Sequence, residues 1–145
     1  MVGGACYTIS VPGNPYPLKR PRRAKNGRMF DPAENVTAKR HIGSYARALF
    51  AVPIPGPVMV NIRFHIQRPK SHFGTRGLRI AAPVNHAQRP DVDNLIKAVF
   101  DALNGIAWVD DTQVIEVSAR KDWCLDSPQT DIMITPCHED AEGNP

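Results

Sequence analysis

The sequence predicts a single α/β domain built on a mixed β-sheet with two main helices, in the order β-α-β-α-β-β. Three observations point there. Two stretches carry apolar residues at helical spacing, four others read as strands, and 145 residues suit one modest core rather than two. The domain is assigned to residues 1–137. The remaining residues, 138–145, include Glu139, Asp140 and Glu142 without lysine or arginine, and are expected to form a disordered acidic tail.

Residues 6–11 (Cys6-Tyr7-Thr8-Ile9-Ser10-Val11) alternate well enough for a short strand, which Pro12-Gly13 ends. Residues 15–29 are crowded with Pro, Gly, Lys and Arg and read as a basic loop. Over 32–50 a helix is expected. Val36, Ile42, Tyr45, Ala46 and Leu49 form its partial apolar stripe, and Lys39, Arg40 and Arg47 spread over the rest. Pro53, Pro55 and Pro57 forbid its continuation.

The clearest strand is 58–67, where Val58, Val60, Ile62, Phe64 and Ile66 alternate with Met59, Asn61, Arg63, His65 and Gln67 to bury one face. Residues 68–89 read as a long mobile loop, of a length that is usually functional or disordered. A second helix is expected over 93–103, apolar at Leu95, Ile96, Val99, Phe100, Ala102 and Leu103, with Asn104-Gly105 as its stop. Strands at 113–121 and 129–135 complete the sheet.

Composition excludes several classes. No apolar run approaches the roughly 20 residues of a membrane span. Residues 1–10 lack a basic stretch followed by an apolar one, so no secretory signal is expected. Cys6, Cys124 and Cys137 are odd in number and lack a CxxC pair, which argues for reduced thiols in a cytoplasm and against a disulfide framework or zinc finger. Cys137-His138 supplies two ligands where structural zinc takes four. There is no Walker-type phosphate loop, which ranks a nucleotide phosphotransferase low. The net charge of +4 is unevenly spread: residues 1–50 hold nine Lys or Arg against two acids, and 122–145 hold six acids and no Lys or Arg. A basic front half suggests an anionic partner, and a solvated surface explains the same charges.

Candidate chemistry lies in the middle of the chain. Asp91 and Asp93 stand where the long loop meets the second helix, and Asp111 follows a short link after it, with Asp110 beside it. Three carboxylates can hold a hard cation such as Mg2+ and act on a phosphodiester. Lys97, four residues after Asp93, lies on the same helix face and can neutralise charge on the reacting phosphate. Each group also has a plainer role. Asp91 or Asp93 can cap the helix, Asp110-Asp111 can form a turn, Lys97 can pair with Asp93, and Asp101 can sit in solvent.

The surrounding blocks add to this. Arg89-Pro90-Asp91-Val92-Asp93-Asn94-Leu95-Ile96-Lys97, then Phe100-Asp101-Ala102-Leu103, then Trp108-Val109-Asp110-Asp111-Thr112-Gln113-Val114 resemble the RusA family of Holliday junction resolvases. That family's pattern is D-x-D-N-L-x-K, D-A-L and D-D-x-Q-V, and all three parts occur here in order. The basic opening from Val11-Pro12-Gly13 through Lys19-Arg20-Pro21-Arg22 is similar to that of phage-borne members. The resemblance implies a RusA-like fold and a homodimeric, Mg2+-dependent endonuclease (Mn2+ substituting) that nicks four-way DNA junctions symmetrically in recombination and repair, in a bacterial cytoplasm. By matching positions it implies Asp91, Asp93 and Asp111 as catalytic metal-binding acids, Lys97 as the supporting catalytic lysine, and Asp110 as a lesser neighbour. The long 68–89 segment departs from compact members of the family.

Phosphate contacts are expected from Lys19, Arg20, Arg22, Arg23, Lys25 and Arg28 in the first basic loop, and from Arg68, Lys70, Arg76, Arg79 and Arg89 in the second. Phe73 is a candidate wedge against unstacked bases, with packing onto the core as its alternative. His86, close in sequence to the acids, can assist them, with a solvated loop residue as the plainer reading, and Trp108 and Trp123 are read as core or strand-face residues. Two competing readings keep the DNA and change the activity: a branched-DNA-binding protein that does not cut, and a nuclease for flaps or forks.

Overall fold

The structure is a computed structural model that describes residues 6–137; the expected acidic tail, 138–145, lies outside the described residues. Four strands form the main sheet: β1 (Tyr7–Pro12), β4 (Val58–Ile66), β7 (Val114–Trp123) and β8 (Gln129–Pro136), in the order β1-β8-β4-β7. Between β1 and β4 come β2 (Arg22–Arg23), β3 (Met29–Phe30) and helix α1 (Ala33–Arg47). Between β4 and β7 come β5 (Phe73–Gly74), β6 (Gly77–Leu78) and helix α2 (Val92–Leu103). The mixed sheet with two helices is the α/β fold that the sequence predicts.

Alternation decides which face is buried. Val58, Val60, Ile62, Phe64 and Ile66 of β4 point one way, join Ile132 and Ile134 of β8 and Ile9 and Val11 of β1, and are almost wholly buried. Both helices pack on that face, with Ile42 and Ala46 from α1 and Leu95, Val99, Ala102 and Leu103 from α2. The opposite face carries Asn61, Arg63, Ser118 and Arg120 toward solvent. Strand β4 pairs antiparallel with β8 and parallel with β7, so the chain leaves β4, crosses through α2 and returns beside it. This crossover positions the acids.

Helix α2 stops abruptly at its end. Gly105 takes φ +83°, a left-handed conformation that a side chain disfavours, and its N–H donates to Trp108 O at 2.7 Å. Trp108 is fully buried there, its Nε1 donating to Asn104 Oδ1 at 2.7 Å and its ring meeting Phe100 edge-on at 5.6 Å. Both tryptophans are core residues as expected, Trp123 being buried at the far end of β7.

Three expectations need correction. The stripe proposed for α1 is only half right, because Val36, Tyr45 and Leu49 are exposed while Asn35 is buried beside Ile42 and Ala46 in the helix register. Asn35 is satisfied locally. Its Oδ1 accepts from Tyr16 Oη at 2.6 Å and from Lys19 N at 3.0 Å, and its Nδ2 donates to Lys19 O and Asp31 Oδ1, each at 2.8 Å. The basic loop is therefore pinned to α1 at Lys19, and further on it forms the short ladder of β2 with β3. The long 68–89 segment is likewise ordered at its base, with a 3-10 turn at Lys70–His72 and a hairpin of β5 and β6. His86 is not solvated; it is buried against Trp123, ring centroids 4.2 Å apart.

Candidate active site

Asp91 occupies the N-cap position of α2 with extended backbone (φ −73°, ψ 141°), yet its side chain makes no capping hydrogen bond. Asp93 lies in the first turn. Both are exposed, and among the described residues neither carboxylate has a side-chain hydrogen bond or an ion pair. Lys97, also exposed, likewise takes no part in an ion pair there, so the simple pairing of Asp93 with Lys97 is not formed. Two carboxylates thus stand unused where the helix dipole already favours negative charge.

A groove opens beside Asp91. It encloses about 580 Å³ between Asn14, Pro15, Pro17, Leu18 and Lys19 on one side and Arg89, Pro90, Asp91 and Asn94 on the other. The first basic loop forms its wall because Leu18 N donates to Asn94 O at 3.0 Å, which ties the loop to the first turn of α2. The opposite support is Lys121 of β7, whose Nζ donates to Gln88 O and, at 2.8 Å, to Pro90 O. Sequence reasoning missed Lys121. Its signal was a lysine at the inward parity of a strand, in register with Phe64 of β4.

Asp111 is elsewhere. It begins a 3-10 turn, Asp111–Gln113, that follows the C-terminal end of α2 and leads into β7. Helix α2 has 12 residues. At 1.5 Å per residue, roughly 18 Å of helix separates its first turn from that end. No group of three or more His, Cys, Asp or Glu side chains among the described residues is close enough to hold a metal ion. The short link after α2 returns the chain to the near end of the helix, not to the Asp91 end. Asp91 and Asp93 share the start of α2, with Asp91 lining the groove; Asp111 does not join them within one chain.

Asp110 and Gln113 have structural work. Asp110 Oδ2 accepts from Thr112 N at 3.2 Å. Gln113 Oε1 accepts from Val109 N at 2.8 Å and Asp110 N at 3.2 Å, while its Nε2 donates to Ile54 O at 2.7 Å and Gly56 O at 2.8 Å. The D-D-x-Q-V block is thus a turn that Gln113 clamps to the segment before β4. The role of Gln113 was also missed by sequence reasoning.

The basic residues divide by what they already touch. Arg20, Arg23, Lys25, Arg28, Lys70, Arg76 and Arg89 are exposed, with no ion pair among the described residues. Lys19 and Arg22 share Glu34 at 3.3 and 3.7 Å. Arg79 Nε donates to Phe73 O at 3.1 Å. Arg68 lies over Trp123, 5.2 Å from the ring centroid, and donates to Pro83 O at 2.9 Å, so it braces the second loop. Phe73 is 42% exposed on its hairpin and does not pack into the core.

His86 carries a pH signature. Its Nδ1 is buried without a hydrogen-bond partner among the described residues. Burial pushes its pKa below the ordinary 6.5; a backbone hydrogen bond opposes this, Lys121 assists and Asp122 opposes. The folded state thus prefers neutral imidazole. Its contribution to stability is present above the unfolded pKa and is lost as pH falls through the lower, folded one. Thermal melts are expected to fall between about pH 7 and pH 5, and His86→Phe is expected to flatten that part of the profile. An unchanged slope in His86→Phe places the titration elsewhere.

Unpartnered carboxylates at a helix start, beside a groove walled by a basic loop, suit chemistry on phosphodiesters. The chain belongs to the RusA family: it matches Endodeoxyribonuclease RusA over residues 12–135, and it is an endodeoxyribonuclease of that family. It is also 31% identical to the uncharacterized protein YqaN of Bacillus subtilis (strain 168) over 136 residues, which cover 89% of this chain and 95% of YqaN. No helix among the described residues is long and apolar enough to cross a membrane.

Proposed function

We propose that this endodeoxyribonuclease is a Mg2+-dependent homodimer, with Mn2+ able to substitute, that nicks four-way DNA junctions symmetrically. The observation that carries the reading is the pair Asp91 and Asp93, exposed at the start of α2 and not used as caps. Their oxygen-only donor set fits a hard cation, which binds through one or two carboxylates plus waters and substrate phosphate. When bound, the ion supplies Lewis acidity at the scissile phosphate and lowers the pKa of water.

The chain's own groups do the rest. Asp91 and Asp93 are the metal-binding acids, Asp111 is a third acid that one chain alone does not bring to them, and Lys97 holds positive charge one helical turn after Asp93 against the charge that develops on the phosphate oxygens. Lys19 and Arg89 line the groove and orient the backbone of one strand. Arg20, Arg22, Arg23, Lys25 and Arg28, with Lys70, Arg76 and Arg79 from the second loop, hold the arms, and Phe73 wedges at the crossover. A dimer with two-fold symmetry matches the two-fold symmetry of a four-way junction and supplies one site for each cut.

The test compares synthetic four-way, three-way and linear duplex DNA, with Mg2+ and with EDTA. Paired nicks in the four-way junction, abolished by EDTA, are expected. Equal rates on all three substrates overturn the junction assignment, and cutting that persists in EDTA overturns the metal. Binding is expected to be strongly salt-dependent. Arg23→Ala or Arg28→Ala should weaken junction and duplex binding alike and lower the salt slope by about 1 each. Filter binding across a salt series measures this, and an unchanged slope removes that residue from the contact set.

A further inference from the structure

The short segment that leads into α2 carries two groups that line the groove, Arg89 and Asp91. Residues 88–90 belong to no helix or strand. Among the described residues they make no backbone–backbone hydrogen bond, and just before them Ala87 N reaches only as far as Asn85 O, at 3.1 Å. A segment without a ladder of its own has side chains and water to hold it.

One side chain does so. Lys121 Nζ donates to Gln88 O and, at 2.8 Å, to Pro90 O, the two carbonyls that bracket Arg89. Among the described residues these are the only hydrogen bonds that residues 88–90 make. Two residues earlier, His86 packs on Trp123, ring centroids 4.2 Å apart. The ties thus fall at 86, 88 and 90, and all of them come from the end of β7. Arg89 and Asp91, which alternate with these ties, are exposed.

Packing does not call for a lysine at this place. Val117, Ala119, Lys121 and Trp123 share one side of β7, in register with Val60, Ile62, Phe64 and Ile66 of β4, whose side chains form the core. A charge on that side carries a desolvation cost that an apolar side chain does not. Lys121 takes part in no ion pair among the described residues, so the two carbonyls are what compensate it. Hydrogen bonds from a charged donor are roughly twice as strong as neutral ones, which makes an ammonium a firm clamp for a pair of carbonyls.

We propose that Lys121 is a positioning residue for the nuclease: by holding Gln88 O and Pro90 O it fixes Arg89 and Asp91 at the groove before metal and DNA arrive. It acts through the segment it ties. The inference rests on the proposed reading of Asp91 as a metal-binding acid. A ligand already held in place loses little freedom when an ion binds, whereas one on a loose segment must be ordered at that moment.

Lys121→Met removes the ammonium and keeps an apolar stem at the same point of the strand. Its kcat for nicking a four-way junction is expected to fall about 10–100-fold with KM for DNA near wild type, and its half-saturating Mg2+ concentration to rise about tenfold, the scale on which the partners of metal ligands act. Lys121→Arg still offers two N–H donors to the carbonyls and should recover most of both. Should Lys121→Met fold poorly, Lys121→Gln, shorter and uncharged, makes the same comparison. A role confined to folding lowers the melting temperature and leaves kcat and the Mg2+ requirement of the folded enzyme unchanged; that result overturns the proposal. Asp91→Asn is assayed beside these variants. If it keeps full activity, the metal reading fails and the inference with it. If it is inactive while Lys121→Met matches wild type in both constants, the positioning role alone falls.

A second measurement needs neither metal nor DNA. In a chain with Cys6, Cys124 and Cys137 replaced by Ser, Arg89→Cys carries a nitroxide spin label. Its spectrum is expected to sharpen, reporting faster motion, when Lys121→Met is added, and to broaden again with Lys121→Arg. The same label at Thr8→Cys on β1, away from the clamp, is expected to show no change. Equal mobility at Arg89→Cys with and without the ammonium means that the segment is held by other groups, and overturns the proposal.

Discussion

Asp91→Asn and Asp93→Asn are each expected to lower junction nicking on the order of 10²–10³-fold while leaving the fold intact, as removal of a single group that stabilises transition-state charge commonly does. The change from carboxylate to amide keeps shape and removes charge. Neither side chain caps α2 or pairs with a neighbour among the described residues, and both are exposed. Melting is therefore expected to stay within about 0.5 kcal/mol of wild type. Asp110→Asn is the informative contrast. Asparagine caps as well as aspartate, so the turn that accepts from Thr112 N survives, and activity should too. Single-turnover nicking in Mg2+ alongside thermal melts checks all three. Full activity in both Asp91→Asn and Asp93→Asn overturns the assigned site, and loss in Asp110→Asn moves the chemistry into the turn.

The legible parts of the sequence were those in which one period ran without interruption. The alternation from Val58 to Ile66 needs only the pleat of a half-buried strand to be read correctly. In α2, apolar residues recur around a single stripe, and Asn104-Gly105 ends it with the required left-handed glycine. Where tertiary partners override local pattern, reading fails. Asn35 is buried because Tyr16, Lys19 and Asp31 come to it from outside the helix, and a polar residue on a helix face carries no mark of that. The ladders of β2 with β3 and of β5 with β6 are two residues long, too short for periodicity to register. The candidate site shows the same division. Asp91 and Asp93 are neighbours in sequence and both stand at the start of α2. Asp111 lies a helix length away, and sequence spacing does not say whether a third ligand comes from the same chain or from another.

The largest stability effect is expected at Trp108, and it bears on the same question. Trp108→Ala should destabilise the domain by about 3–5 kcal/mol, as truncating a buried large aromatic does. The side chain is fully buried, meets Phe100 edge-on and donates to Asn104 Oδ1. Alanine opens a cavity at the end of α2 and strands the Asn104 acceptor, whose loss of a partner adds to the cost. Set against a typical domain stability of about 5–15 kcal/mol, this lowers the melting temperature by roughly 10 °C or more. Trp108→Phe keeps most of the ring and loses the hydrogen bond, and should cost less than half as much. The residue also carries function at a distance. Ala107 O accepts from Ile54 N at 2.8 Å, and Gln113 holds Val109 and Asp110 to the same segment, so Trp108 is the pivot on which the Asp110-Asp111 turn hangs. Loosening this turn displaces Asp111, so Trp108→Ala is expected to nick four-way junctions more slowly than wild type when both are assayed well below its melting temperature. Denaturant titration gives the stability term, and a loss below about 1 kcal/mol in Trp108→Ala removes the pivot from the account.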